Sequence, residues 1–147
     1  MNVIQNIVKW NKDRLLDKQS FNLYTENLNC LEEIFETFDG LDSIGARELA
    51  KHTLDTVTQV GLKELIPEKN DAELLDSFAD RIVFSIGAIL KMGYDPEKVL
   101  EEVYKSIDSR TGEIVDGKFI KDKSEEAKSK WYFPNFNNAK IKEEDIS

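Results

Sequence analysis

Apolar residues return along this chain at three- and four-residue intervals, the spacing of a helix that buries one face. Val3, Ile4, Ile7, Val8, Trp10 and Leu15 make such a stripe and predict a first helix from Val3 to Leu16. Polar Asp17 to Phe21 connects it to a second helix, which starts near the good N-cap Asn22 and runs to about Phe38. Its stripe is Leu23, Leu28, Leu31, Phe35 and Phe38, and Asp39-Gly40 ends it. A third helix is predicted from Ile44 to Leu65, with Leu49, Leu54, Val57 and Leu65 inward, Gly61 weakening its last turn and Pro67 stopping it. Asn70 and Glu73 compose a capping box for a fourth helix, Asp71 to Met92. From Ile82 onward this helix is apolar almost all round, which predicts a central position. Gly93 caps it, and Asp95-Pro96 opens a fifth helix that Val99, Leu100, Val103 and Ile107 carry to about Ser109.

The texture then changes. In RTGEIVDGKFIKD, residues 110–122, Asp116-Gly117 stands between two short alternating runs, the strongest hairpin signal in the chain. From Asp122 the chain is polar and charged apart from the aromatic island WYFPNF at 131–136, and no internal repeat is visible. The expected fold is therefore all-α, a bundle of about five helices with a small C-terminal β-hairpin and an irregular tail. Residues 1–121 are expected to form one domain, and 122–147 an extended tail packing on that domain or on a partner subunit.

Composition narrows the function. A chain of 147 residues with 40% hydrophobic content can bury a core. Its net charge of −9 and pI near 4.7 speak against a nucleic-acid interface or an anionic membrane surface, both of which need clustered Lys and Arg. Nucleotides remain accessible to it if metal ions bridge the charges. Cys30 is the one cysteine, so no intramolecular disulfide forms, and no Cys/His pair has a supporting pattern. The opening MNVIQNIVKWNKDR lacks the apolar core of a signal peptide, and no run of about 18 apolar residues occurs. A cytoplasmic location is the expectation.

The second helix holds the chemistry. In CLEEIFETFDG, residues 30–40, Glu32, Glu33 and Glu36 crowd one turn beside Leu31, Ile34, Phe35 and Phe38. Glu33 and Glu36 lie about 60° apart around the axis, and Glu32 and Glu36 about 40° apart. Like charges so placed repel by roughly a few tenths of a kcal/mol. The fourth helix carries Glu73, Asp76 and Asp80 at i, i+3, i+7. If the two helices pack antiparallel, six carboxylates meet and require cations, and hard Mg²⁺ with its oxygen preference is the natural choice. His52 is the sole histidine, so zinc of the nitrogen/sulfur type is poorly supported. A solvated acidic face accounts for the same spacing, and the helix dipole alone accounts for Asp71 and Glu73.

Glu32-Glu33-Ile34-Phe35-Glu36 resembles the EExxE motif of the all-α nucleoside triphosphate pyrophosphohydrolases, a superfamily that includes the MazG-like and phosphoribosyl-ATP pyrophosphohydrolase-like proteins. Its second motif, ExxD followed by an apolar run, Gly and Asp-Pro, is similar to DSFADRIVFSIGAILKMGYDPEKVLEEV at 76–103, with Asp80 as the aspartate. Ser77 stands where that motif has glutamate; Asp76 and Glu73 are the neighbouring acids, and Glu73-Leu74-Leu75-Asp76 is itself a literal ExxD one turn earlier. The segment between the motifs is longer than is usual in the family. IDSRTGEIVDGKFIKD at 107–122 with KWYFPNF at 130–136 is similar to the tail of the phosphoribosyl-ATP pyrophosphohydrolase-like members, with Ile107 in place of an asparagine.

That resemblance, over roughly 20–136, implies cleavage of an NTP or dNTP to the monophosphate and pyrophosphate, with Mg²⁺ as cofactor and Mn²⁺ as a substitute. It implies Glu33, Glu36, Asp80 and Asp76 as metal ligands and Glu32 as the carboxylate that orients or deprotonates water. Ser109, Arg110, Lys118 and Lys121 would approach the phosphates. Phe84 is the first candidate for a base platform, with Trp10, Trp131 and Tyr132 as alternatives, and Asn22 and Asn29 are candidates for reading base edges; Ser77 completes the substrate side. Family members assemble as dimers or tetramers, so a homo-oligomer is expected. A non-catalytic helical binding module on the same scaffold is the competing expectation.

Overall fold

A computed structural model describes residues 1–59, 70–116 and 118–142, and its elements are helices apart from one hairpin. Helix α1 (Val3–Asp13) starts at a capping box in which Asn2 accepts from the Gln5 amide and the Gln5 side chain accepts from the Asn2 amide. It stops short of the predicted Leu16 because Leu15 enters the left-handed region at φ 55, and a 3₁₀ turn follows at Leu16–Lys18. Helix α2 (Leu23–Phe35) is capped by the Asn22 side chain. It ends one turn before the predicted Phe38, with Glu36 as its C-cap. Helix α3 covers Ser43–Gln59; the rest of the predicted third helix, with Gly61, Leu65 and Pro67, lies outside the described residues.

Helix α4 (Asp71–Lys91) has the expected capping box, Asn70 accepting from the Glu73 amide at 3.0 Å. Gly93 takes φ 83 behind it, a conformation glycine adopts without strain. Helix α5 (Pro96–Asp108) begins with Asp95 accepting from the Glu97 and Lys98 amides. Strands β1 (Gly112–Val115) and β2 (Lys118–Lys121) pair antiparallel, Val115 opposite Lys118 and Gly112 opposite Lys121, with Asp116 at φ 50 in the turn and Gly117 outside the described residues. A one-turn helix α6 (Glu125–Lys128) and a 3₁₀ turn at Phe136–Ala139 complete an all-α fold with a small hairpin. No helix among the described residues is long and apolar enough to cross a membrane.

The chain divides into two compact units, Met1–Gln19 with Leu75–Ser147, and Ser20–Leu74. In the second unit α2 packs along α3. Tyr24 bonds Asp55 and residues 29 and 32 bond Arg47, so the pair is antiparallel. Ala46 and Ala50, four apart on α3, are fully buried with Leu28, because small side chains let the two backbones approach. In the first unit α5 packs on α1 and on the 3₁₀ turn at Phe136–Ala139. The tail is tied to the α4–α5 turn by the Asp95 amide donating to Ala139 O at 2.8 Å and the Ile141 amide donating to Gly93 O at 2.9 Å.

Helix α4 departs from its predicted central place, for none of its residues is buried. Leu75, Ile82, Val83 and Leu90 on it are exposed.

Candidate functional site

The crowded carboxylates of α2 are sorted by the helix they sit on. Glu32 turns inward and is buried, while Glu33 and Glu36 face solvent. Burying Glu32 would be strongly unfavourable without a counter-charge, and α3 supplies one. Arg47 Nη1 lies 2.8 Å from Glu32 Oε2 and donates also to Asn29 Oδ1 at 2.9 Å. The pair is well shielded, the Glu32 side chain being 8% exposed and that of Arg47 23%. Asn29 thus acts here as an acceptor that helps aim the guanidinium.

Glu33 and Glu36 occupy an unfavourable place for anions. They sit in the last turn and at the C-cap of α2, where backbone carbonyls present the negative end of the helix dipole, and the last turn has no basic residue.

On α4, Asp76 and Asp80 are exposed and about 40° apart around the axis, as i, i+4 residues must be. Ser77 is half-buried, and Phe84 is exposed about 40° further round from Asp80. Arg81 folds back so that its guanidinium lies 4.6 Å from the Phe78 ring centroid.

The cations of the hairpin region are separated by strand geometry. Lys118 and Lys121 are three apart on β2, so they project from opposite faces. Lys121 shares its face with Phe119 and lies 5.8 Å from the Trp131 ring centroid. Arg110 stands 5.3 Å from the same ring and donates from Nη2 to the buried Ser106 Oγ at 2.8 Å. Arg14 of α1 stacks 4.4 Å from Trp10 and 5.3 Å from Phe119, and those two rings meet edge to face at 5.5 Å. Among the described residues, buried N–H groups of Trp10, Arg110 and Trp131 find no acceptor. A shallow recess of about 420 Å³ opens beside Lys121, lined also by Thr111, Gly112, Glu113, Ile120 and Asp122.

A further constellation holds the tail. Glu102 on α5 accepts from Lys105, from the Tyr132 hydroxyl and, at 3.0 Å, from the Asn135 amide. The hydrogen bond from Lys105, then those from Tyr132 and Asn135, draw its pKa down from 4.5 to about 2. The Tyr132 amide donates to Ser109 Oγ at 2.8 Å, so the aromatic island is fastened at two points. Arg14, Arg47 and Glu102 are not evident from the sequence, since Phe119, Glu32 and Tyr132, which they meet, are remote in the chain; an antiparallel pairing of α2 with α3 is the one signal that aligns Arg47 with Glu32.

Among the described residues no three His, Cys, Asp or Glu side chains form a group able to hold a metal ion. What the chain presents are exposed pairs, Glu33 with Glu36 and Asp76 with Asp80. Mg²⁺ commonly takes one or two carboxylates and completes its octahedron with water and substrate phosphates. Such pairs do not make an all-protein metal cage. No protein-family model, no curated protein and no solved structure matches this chain.

Proposed function

We propose that this chain is a Mg²⁺-dependent nucleoside triphosphate pyrophosphohydrolase acting on cytoplasmic NTPs or dNTPs. Water adds to the α-phosphorus, the bond from that phosphorus to the bridging oxygen of the β-phosphate breaks, and the products are a monophosphate and pyrophosphate. The observation that carries the reading is the position of Glu33 and Glu36 at the negative end of α2. Two exposed carboxylates three residues apart offer oxygen ligands of the kind a Mg²⁺-dependent site uses.

Glu33 and Glu36 would hold the ion; Asp80 and Asp76 are named as ligands by the sequence resemblance alone. When bound, Mg²⁺ supplies neutralisation of the triphosphate charge and acidification of water. Glu32 orients the attacking water, and the hydrogen bond from Arg47 fixes the position of that carboxylate. Lys121, beside Trp131, offsets charge on the leaving pyrophosphate. Phe84, exposed on α4, offers its ring to the base.

The second reading is a helical binding module without turnover. It is favoured by the lack of a gathered group of three acids among the described residues. Pyrophosphate release from a panel of NTPs and dNTPs at millimolar Mg²⁺ decides between them. Turnover of at least one nucleotide, abolished by Glu36→Gln with helicity retained, is expected. An inert wild-type chain across the whole panel leaves the binding module standing.

A further inference from the structure

Helix α3 fills the stretch between the two acidic motifs that is longer than is usual in the resembled family, and Arg47 on it has no part in that resemblance. A guanidinium carries five N–H groups in one planar fork. Arg47 uses the two on Nη1 inside the protein, one to Glu32 Oε2 at 2.8 Å and one to Asn29 Oδ1 at 2.9 Å. Among the described residues its Nε and Nη2 meet no acceptor, and neither is shut away from water as Arg110 Nε is. Asn29, Glu32 and Arg47 all belong to the compact unit Ser20–Leu74, so the arrangement is complete within that unit.

Asn29 and Glu32 lie one turn apart on α2, and bonds from a single nitrogen to both fix the plane of the guanidinium as well as its place. The edge left over, Nε–H beside Nη2–H, is the one that meets two oxygens of a single carboxylate or phosphoryl group side by side. A lysine would also answer the charge of Glu32, but it presents no such edge. Because the Glu32–Arg47 pair is neutral as a whole, it attracts a bare anion weakly, and the anion that suits it comes with a cation of its own. Proximity names the phosphate. Glu32 orients the water that adds to the α-phosphorus, and a group 2.8 Å from that carboxylate reaches oxygens on the phosphorus under attack before those further along the triphosphate.

We propose, resting on the pyrophosphohydrolase reading above, that Arg47 is the α-phosphate ligand. Its Nε–H and Nη2–H donate to the two non-bridging α-phosphoryl oxygens and stabilise the charge that gathers on them as water adds. Held in advance by Asn29 and Glu32, the fork needs no reorganisation at that moment.

Two measurements on the full chain test it. The first follows the Nε–H resonances of the four arginines, Arg14, Arg47, Arg81 and Arg110, with the Arg47 signal identified by its loss in Arg47→Lys. The probes are α,β-methylene analogues of the nucleotide panel with millimolar Mg²⁺, which cannot break at the α–β bridge. They are expected to move the Arg47 signal downfield in the wild-type chain, with no variant needed to fold. The second is steady-state pyrophosphate release by wild type and Arg47→Lys. The lysine keeps a cation opposite Glu32 and is expected to melt within about 3 °C of wild type. It is nonetheless expected to lose about 100-fold in kcat, the cost of removing a donor from a developing oxyanion, with KM changed far less. An unmoved Arg47 signal in a chain that binds the analogue, or wild-type kcat in Arg47→Lys, overturns the assignment and leaves the hydrolase reading intact. A moved Arg47 signal in a chain that turns over no nucleotide keeps the phosphate contact and removes the hydrolase reading. A chain that neither binds an analogue nor turns over a nucleotide removes both.

Discussion

Replacing Arg47 by methionine removes the counter-charge from Glu32 while keeping much of the apolar stem. At 2.8 Å and an effective dielectric constant of 20, the pair attracts by ~6 kcal/mol before desolvation is subtracted. Removing one partner of a buried pair costs about 3–5 kcal/mol in comparable cases, because the remaining charge keeps its desolvation penalty. Arg47 is 23% exposed, so water reaches one end of the pair and the lower figure, about 3 kcal/mol, applies. For a chain of this length that is a fall in Tm of roughly 10 °C. The assay is a double-mutant cycle by thermal circular dichroism over wild type, Arg47→Met, Glu32→Gln and the double variant. Glu32→Gln alone is expected to lose less than Arg47→Met, since an amide tolerates burial better than a carboxylate. The double variant is expected to recover about 2 kcal/mol of the summed single losses, the coupling of a contacting pair. Additive losses, or a shift of about 1 °C for Arg47→Met, would show that no buried pair joins α2 to α3. The whole shift is also expected to persist at high salt, since shielded pairs are screened weakly.

Two further outcomes follow from contacts in the first unit. Glu102, drawn down to about 2, contributes stability that is present above its ordinary value of 4.5 and is lost as pH falls through the lowered one. The Asn135 amide resonance, which reports the bond to Glu102, is therefore expected to titrate near pH 2, and in Glu102→Gln to show no such step; a midpoint near 4.5 in wild type contradicts the clamp. A side chain at Gly112 would place its first carbon 2.1 Å from the Ile120 carbonyl oxygen, so the strands cannot stay in register. Gly112→Ala is expected to lose about 3 kcal/mol and the amide protection of β2, and protection at the wild-type level would refute that close approach.

Much of the fold was legible because it is local. The Asn70–Glu73 box, the Asp95-Pro96 start and the Asp116 turn are set by hydrogen bonds and dihedral preferences within four residues, and each stands where the sequence puts it. The ends of α1 and α2 were overrun because apolar residues continue past the helices, and periodicity registers residues rather than backbone. Leu15 prolongs the stripe of α1 from outside the helix, in a left-handed turn and 61% exposed.

By itself the sequence determined where helices start, which residues share a face, and that three glutamates crowd one turn of α2. Only the tertiary structure decided what each face meets. Glu32 and Arg47 are fifteen residues apart, and Glu102 and Tyr132 thirty, distances over which no propensity acts. The same limit governs α4, whose apolar surround predicts burial equally against its own chain or against another copy. Hydrophobicity is non-directional, so it states that a face leaves water and not which surface replaces it. Contact geometry supplies that choice, turning Glu32 onto Arg47 while Glu33 and Glu36 stay exposed.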